Sequence, residues 1–231
     1  MKHLNNKLNK EIEFLEWDSN FFNIRVGRVY SDLKKIDLTK VSDFDLIYIH
    51  SKILLENTSL HLYDKKVTFE KNITSIKKNL ETSSITKYDK ELTKELTDLA
   101  IASGTYSRFK LDPNLSHRFE DFFTLWIKNS LNGKLADFVY VYKKENKVIG
   151  FISLKKNDSY YQIGLIATSS LHRGLGIGSI LLQKAEEIAK SEKISRIIVV
   201  TQLDNQIACN FYKKNGYQIK STEYIYHHWF K

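Results

Sequence analysis

Two short runs in the second half of the chain carry residue types that chemistry can use. The first is Arg173-Gly174-Leu175-Gly176-Ile177-Gly178-Ser179, set between the apolar run Tyr161–Thr168 and the helix-periodic run Ile180–Lys190. Gly174, Gly176 and Gly178 have no Cβ, so the backbone there is free to take φ > 0 and to let another group lie against its amides. A helix that starts on such a loop presents N–H groups without intrahelical partners, at the positive end of its dipole. That arrangement suits an anion, most simply a pyrophosphate. The second run is Asn205-x-x-Ala208-x-x-x-Tyr212-x-x-x-Gly216-Tyr217. Taken alone, Tyr212 is one of 13 tyrosines and reads as core.

Three nucleotide-binding templates compete for the glycine loop. A P-loop needs Gly-Lys-Ser/Thr after its glycines, and Gly178-Ser179-Ile180 has no lysine. The dinucleotide fingerprint G-x-G-x-x-G fails at Ser179, and the strand expected at Ile194–Val200 ends in Thr201-Gln202 rather than an acid. The third, R/Q-x-x-G-x-G between a strand and a helix, is met by Arg173 to Gly178. In this the stretch resembles motif A of the GNAT superfamily of acyl-CoA-dependent N-acyltransferases, and the run from Asn205 to Tyr217 follows in the order that the family uses.

The resemblance implies a co-substrate, acetyl-CoA or another short acyl-CoA, and a place for each of its parts. Backbone groups of Ile166, Ala167 and Thr168 would pair with pantetheine as an added strand does and offer an N–H to the oxyanion. Amides of Arg173, Gly174, Leu175, Gly176, Ile177, Gly178 and Ser179 would hold the pyrophosphate. Asn205 would give a side-chain amide to the pantetheine arm, with Phe211 on the same surface. Tyr212 would protonate the departing thiolate; a phenol with a reference pKa of about 10 is protonated at neutral pH, as a general acid must be. No metal is expected, since His172, His227 and His228 lack metal-ligand spacing. Cys209 reads as a buried structural thiol.

A narrower likeness spans most of the chain. Glu16-Trp17-Asp18-Ser19-Asn20-Phe21-Phe22, Tyr106–Phe109, Ile163–Ala167, Thr201-Gln202 and Ser221–Tyr224 are together similar to the TDP-4-amino-4,6-dideoxygalactose (TDP-fucosamine) N-acetyltransferases of bacterial surface-polysaccharide synthesis, with departures at Thr168 and Ser170. It implies a dTDP-linked amino-dideoxy sugar as acceptor, touching Trp17, Asn20 and Arg108, where a guanidinium can bind phosphate bidentately. A 3-amino-3,6-dideoxy sugar is the alternative to the 4-amino one. The group that takes the amine's proton is left open among Glu16, Asp18 and His50. By composition alone, residues 16–22 read as a core corner with Asp18 or Ser19 capping a short helix. A protein or small-amine N-acetyltransferase and a non-catalytic CoA-binding module are the competing functions.

The elements that must position these groups follow from periodicity. Ile12–Trp17, Phe21–Val29, Asp45–His50 and Leu60–Leu62 read as strands, with Asp32–Val41 and Lys52–Glu56 as short helical or turn segments. Ile85–Tyr88 reads as a strand, Glu91–Ala102 and His117–Leu131 as amphipathic helices, and Phe138–Tyr142, Val148–Lys155 and Tyr161–Ala167 as strands. Tyr217–Ile219 and Tyr224–Trp229 close the sheet. The expected fold is α/β: residues 86–231 as a GNAT acyl-CoA-binding catalytic domain, a mixed, mostly antiparallel twisted sheet flanked by helices, preceded by a smaller N-terminal α/β domain, residues 1–85, on the sugar-nucleotide side. A net charge of +9 comes from lysines scattered over the chain with only six arginines, which argues against a nucleic-acid partner. One cysteine and no early apolar segment after Met1 lead to the expectation of a cytoplasmic protein with no membrane partner. A homodimer is compatible with this reading.

Overall fold

The computed structural model describes residues 12–31, 38, 41, 43–56, 60–73 and 84–230. In chain order the elements are β1 (Glu13–Phe14), α1 (Glu16–Phe22), β2 (Val26–Tyr30), β3 (Leu46–Ser51), β4 (His61–Asn72), β5 (Ile85–Lys87), α2 (Lys94–Ser103), α3 (Arg108–Leu111), α4 (Phe119–Leu131), β6 (Phe138–Lys144), β7 (Lys147–Lys156), β8 (Tyr161–Thr168), α5 (Ile177–Ser191), β9 (Arg196–Gln202), α6 (Gln206–Lys214) and β10 (Gln218–Trp229). Among the described residues the ten strands form one sheet in the order β1-β2-β3-β10-β4-β9-β8-β7-β6-β5. Among the described residues only β2–β3 and β8–β9 pair in parallel. This is the expected mixed, mostly antiparallel sheet flanked by helices.

Strand β4 comes from the N-terminal part of the chain yet lies between β10 and β9, both antiparallel to it. Strands β1 to β4, with β10 set between β3 and β4, thus build the sheet on one side of β9. The boundary expected near residue 85 follows residues 74–83, which lie outside the described residues.

Helices cover both faces, and each is held by an apolar stripe. On one face α5 and α6 pack Leu181, Leu182, Ala185, Cys209 and Tyr212 against Val67, Phe69, Ile163 and Val199. On the other, α2 buries Leu96, Leu99 and Ala100, at i, i+3 and i+4, after Thr93 caps its start by accepting from Leu96 N–H at 3.4 Å. There α4 contributes Phe119, Phe122, Phe123 and Ile127. The Phe122 ring touches Trp17, Phe21, Phe22, Phe109, Phe123 and Trp126. Burying each such ring contributes about 1.5–3 kcal/mol, so this cluster fastens α1 and α3 to α4.

Several element expectations change. Residues 16–22 are helix α1, so Asp18 and Ser19 lie inside a helix rather than capping one. Its N-cap is Leu15, with no side-chain cap, and it ends at Asn23 in the left-handed region, φ 56°. Ser19 accepts the Val26 N–H at 2.9 Å and ties the helix to β2. The strand expected at Leu60–Leu62 runs on to Asn72, because its charged residues pair between two neighbouring strands rather than facing bulk solvent on an edge. Residues 218–229 form one strand, with a bulge after Ile219 where a break was expected. Lys52–Glu56 forms bends without a helix. Apart from Leu38 and Val41, Asp32–Val41 lies outside the described residues.

Candidate active site

The site begins with a defect in the sheet. Ile152 pairs with Ile166 and Leu154 with Ile163, so β8 carries one residue more than β7 between those pairs, a β-bulge at Gly164–Leu165. Ser153 fills it, accepting the Leu165 N–H at 2.8 Å, and a Cβ on Gly164 would meet the Ser153 Oγ at 3.0 Å. A bulge bends its strand. Accordingly β8 pairs with β9 only from Tyr161–Ile163 to Ile197–Val199, although β8 continues to Thr168 and β9 to Gln202. The facing edges of 164–168 and 200–202 are left without a strand partner. An extended amide chain can pair there, and Ile166, Ala167 and Thr168 lie on that edge.

The glycine loop follows directly. Gly174 and Gly176 take φ of 80° and 78°, with nothing within 4 Å of where a Cβ would stand. Gly178 differs: it lies inside α5, and a Cβ there would meet the Phe211 ring at 3.0 Å. Its missing side chain gives space, not φ. Gly176 caps α5 without a side-chain hydrogen bond, and Ile180 N–H to Gly176 C=O is the first bond of the helix. The amides of Ile177, Gly178 and Ser179 therefore project from the helix start. Arg173 and Leu175 are exposed beside them.

On α6 the three expected residues do different things. Asn205 is the N-cap and its Oδ1 accepts from Ala208 N–H at 3.1 Å, a bond that does not use its Nδ2. Phe211 lies against Gly178 and, at 5.2 Å between centroids, against Tyr212. Tyr212 is buried among Phe69, Phe211 and Tyr217, and burial pushes its phenol well above the ordinary value. It stays protonated at every physiological pH. Cys209, on the same helix, is buried, points its Sγ at the Gln202 carbonyl at 3.4 Å, and is raised by burial.

The opposite face of the sheet, beside the end of β9, carries a buried polar cluster. The Arg108 guanidinium lies 4.8 Å from the Tyr48 ring centroid and 4.4 Å from that of Phe109, with its Nη1 3.9 Å from Asp64 Oδ2. His227 Nδ1 is 2.6 Å from Asp112 Oδ2, which also accepts from Trp229 Nε1 at 2.9 Å. His50 Nδ1 is 3.1 Å from Glu223 Oε2, which also accepts from Lys66 Nζ at 3.0 Å.

Charge in this cluster follows from burial and hydrogen bonds. Burial alone would raise Asp112, but donors from His227, Trp229 and the Asn114 amide hold it below its ordinary value. Bonding to His50, opposed by burial and aided by Lys66, holds Glu223 down at about 2. Burial lowers both imidazoles, His227 to about 4, with Arg108 adding to it. Both rings are thus neutral at pH 7. Facing carboxylates that can only accept, each donates from Nδ1 and keeps an Nε2 lone pair. Those two Nε2 atoms, Asp64 Oδ1, the Tyr48 hydroxyl and Arg108 Nε are buried without hydrogen-bond partners.

Of the acceptor-side residues expected from sequence, Arg108 and His50 enter this cluster. Asp18 faces it from α1: burial raises its carboxyl, Arg108 opposes the rise, and the Tyr48 hydroxyl lies near without strict hydrogen-bond geometry. Trp17 and Asn20 are exposed on the same helix, and Trp17 stacks on Phe21 at 5.2 Å. Glu16 is exposed at the helix start. Sequence reasoning missed Tyr48, Asp64, Lys66, Asp112, Glu223 and His227. The available signal was the strand-like alternation of Asp64, Lys66 and Thr68 with Val67 and Phe69, which would have extended β4 into the site.

Comparison with known proteins bears on this geometry. Residues 93–217, just over half the chain, match the Acetyltransferase (GNAT) family. The chain is 31% identical over 138 residues to the spore coat polysaccharide biosynthesis protein SpsD of Bacillus subtilis, a match covering 59% of this chain and 47% of SpsD. It thus spans about half the length of that relative. It is 26% identical over 225 residues to the dTDP-fucosamine acetyltransferase of Escherichia coli O6:H1, covering 92% of this chain and 96% of that protein. A GNAT-family acetyltransferase structure from Colwellia psychrerythraea superposes with a TM-score of 0.51 at 15% identity, over 84% of this chain and 68% of its own. That likeness is one of fold. Among the described residues no helix is long and apolar enough to cross a membrane.

Proposed function

The chain belongs to the acetyltransferase (GNAT) family, and we propose that it moves a short acyl group, acetyl first, from acyl-CoA to the amine of a dTDP-linked amino-dideoxy sugar in the cytoplasm, for surface-polysaccharide synthesis. We favour 4-amino-4,6-dideoxygalactose over a 3-amino-3,6-dideoxy sugar. One observation carries the choice of acceptor. The residues before the family match build β1 to β4 and bring Tyr48, His50, Asp64 and Lys66 to the polar cluster beside β9, and the likeness to dTDP-fucosamine acetyltransferase extends over 92% of the chain rather than over the family region alone.

In this reading the open edge of β8 pairs with the pantetheine amides and offers an N–H to the oxyanion. The α5 amides from Ile177 to Ser179, with Arg173, neutralise the pyrophosphate. Asn205 Nδ2 donates to the pantetheine arm. The acceptor approaches from the face of α1 and α3, with Trp17, Asn20 and Arg108 on the nucleotide sugar. The amine attacks the thioester carbon directly, and Tyr212 protonates the leaving thiolate. Retention of Tyr212 at the position the family's order implies supports turnover over a binding-only module.

The test is thiol release from acetyl-CoA with dTDP-linked 4-amino and 3-amino dideoxy sugars, spermidine and a lysine peptide, each supplied alone. Release with one sugar and not with the simple amines supports the reading and fixes the amine position. Release with spermidine or the peptide and neither sugar contradicts it.

A further inference from the structure

The acceptor amine of any such reaction arrives largely protonated, and an ammonium has no lone pair with which to attack. Some group must take that proton. The candidates that sequence offered, Glu16, Asp18 and His50, fit less well than one it did not offer.

Asp64 stands on β4, the strand beside β9. The last β4–β9 pair is Lys66 with Gln202, so Asp64 lies two residues beyond it, just past the end of β9 and on the same face as Lys66. Gln202 is its neighbour there. The Asp64 side chain is 4% exposed, its nearest cation is the Arg108 guanidinium at 3.9 Å, and its Oδ1 has no partner. A buried acceptor left unsatisfied costs about 1–3 kcal/mol. A donor belongs against it.

The surroundings state which kind of donor. His50 and Asp64 are the cross-strand neighbours of Ile225 from its two sides, and His227 follows two residues along. Their unpartnered atoms, His50 Nε2, His227 Nε2 and Asp64 Oδ1, are all acceptors, against two unpartnered groups of the cluster that can donate, the Tyr48 hydroxyl and Arg108 Nε. An ammonium brings three N–H donors to such a place, and sugar hydroxyls bring more.

We propose that Asp64 takes up the proton that the acceptor ammonium loses before its nitrogen attacks the thioester, an inference that rests on the acyl-transfer reading above. The carboxylate accepts one proton from R–NH3+, leaving R–NH2. The nitrogen lone pair forms the C–N bond at the thioester carbon, and the C–S bond breaks as the tetrahedral adduct collapses. Tyr212 gives its proton to the thiolate, and the second proton lost by nitrogen restores the phenol. Asp64 then releases its proton to solvent, so that amide, thiol and one proton are the net products.

The two imidazoles are poorer bases here. Burial and the neighbouring Arg108 already hold both neutral against protonation. Protonating Asp64 removes a buried charge instead of adding one. The groups facing it are Arg108 from α3, Lys66 on its own strand, Glu223 on β10 with His50 behind it, and the uncharged Gln202 on β9. Burial raises it to about 6, while Arg108, Gln202 and Lys66 hold it from rising further and Glu223 adds to the rise. A carboxyl there exchanges protons near neutral pH, which an ordinary aspartate does not.

The experiment follows thiol release from pH 5.5 to 9 with the dTDP-4-amino sugar for wild type, Asp64→Asn and Asp64→Glu, with acetyl-CoA binding measured by calorimetry. The inference expects a wild-type kcat/KM limb near pH 6, and a kcat for Asp64→Asn lower by about 10²–10³-fold. It expects that variant to lose the limb, to recover rate as pH rises toward the amine's own pKa, and to bind acetyl-CoA like wild type. Asp64→Glu should restore part of the rate and move the limb. An Asp64→Asn variant that keeps the limb, or changes only the sugar KM as a mere partner of Arg108 would, overturns the inference. Should Asp64→Asn fail to fold, an unmoved limb in Asp64→Glu overturns it equally. A wild type that turns over no amine overturns the acyl-transfer reading and the inference with it.

Discussion

Tyr212 and Asp64 lie on opposite faces of the same sheet. Tyr212 packs on Phe69, 5.5 Å between ring centroids, and the unbroken alternation from Asp64 to Phe69 turns Asp64 to the other face, where Arg108 stands 3.9 Å away. Between them β9 loses its pairing with β8 after Val199. In the proposed reading this gap is where the proton donor Tyr212 and the proton acceptor Asp64 meet one reacting centre from two sides. A group entering from one face need not displace a group seated on the other.

Helix α5 begins close against Phe211, where a Cβ on residue 178 would stand 3.0 Å from the ring. Gly178→Val should cost about 1–3 kcal/mol through overpacking, read by urea unfolding, and should also weaken acetyl-CoA binding by moving the first turn. Gly133→Ala is the control. It is strained by a φ of 77° with open space around it, so about 1–2 kcal/mol is lost while acetyl-CoA affinity is unchanged.

Arg108 sets the charge of the acceptor side. Arg108→Ala should raise the sugar KM at least about tenfold, the weight of one charge-assisted hydrogen bond, with acetyl-CoA affinity unchanged. It also removes the cation that lowers Asp64. The acidic limb of kcat/KM should therefore move to higher pH, a shift that steady-state profiles of the two proteins compare directly.

Acid acts on the buried cluster in two opposing senses. His227 has a folded pKa of about 4, below its unfolded 6.5. Its contribution is whole above pH 6.5 and is lost as pH falls toward 4. Asp64 has a folded pKa of about 6, above its unfolded 3.8. It favours the folded state increasingly as pH falls from 6 toward 3.8. Each group weighs at most about 1.4 kcal/mol per pH unit. Urea unfolding between pH 7 and 4.5 should show His227→Gln losing less stability on acidification than wild type, and Asp64→Asn losing more.

How much of this could be read from the chain depends on how local each cause is. The glycine loop, the start of α5 and the Asn205–Tyr217 run were legible because left-handed φ at Gly174 and Gly176 and the capping by Asn205 are decided within a few residues. The reason for Gly178 was not, since it needs Phe211 from another helix. Strand β4 hid for the same reason: His61-Leu-Tyr-Asp-Lys-Lys66 looks like a polar segment until β9 and β10 flank it. The cluster of Asp64, Arg108, Asp112 and His227 draws on β4, α3, the turn after it and β10, and no spacing along the sequence brings those together. The helical form of residues 16–22 was not legible, since a helix without a side-chain cap offers no start signal.

The account stands most directly on Tyr212 as the acid that completes transfer. The measurement is kcat for thiol release from acetyl-CoA at saturating dTDP-4-amino sugar, in wild type and Tyr212→Phe, beside acetyl-CoA affinity for each. The account predicts equal affinity and a kcat for the variant lower by about 10²-fold or more. Equal kcat in the two proteins, with the variant folded and binding acetyl-CoA, would contradict it.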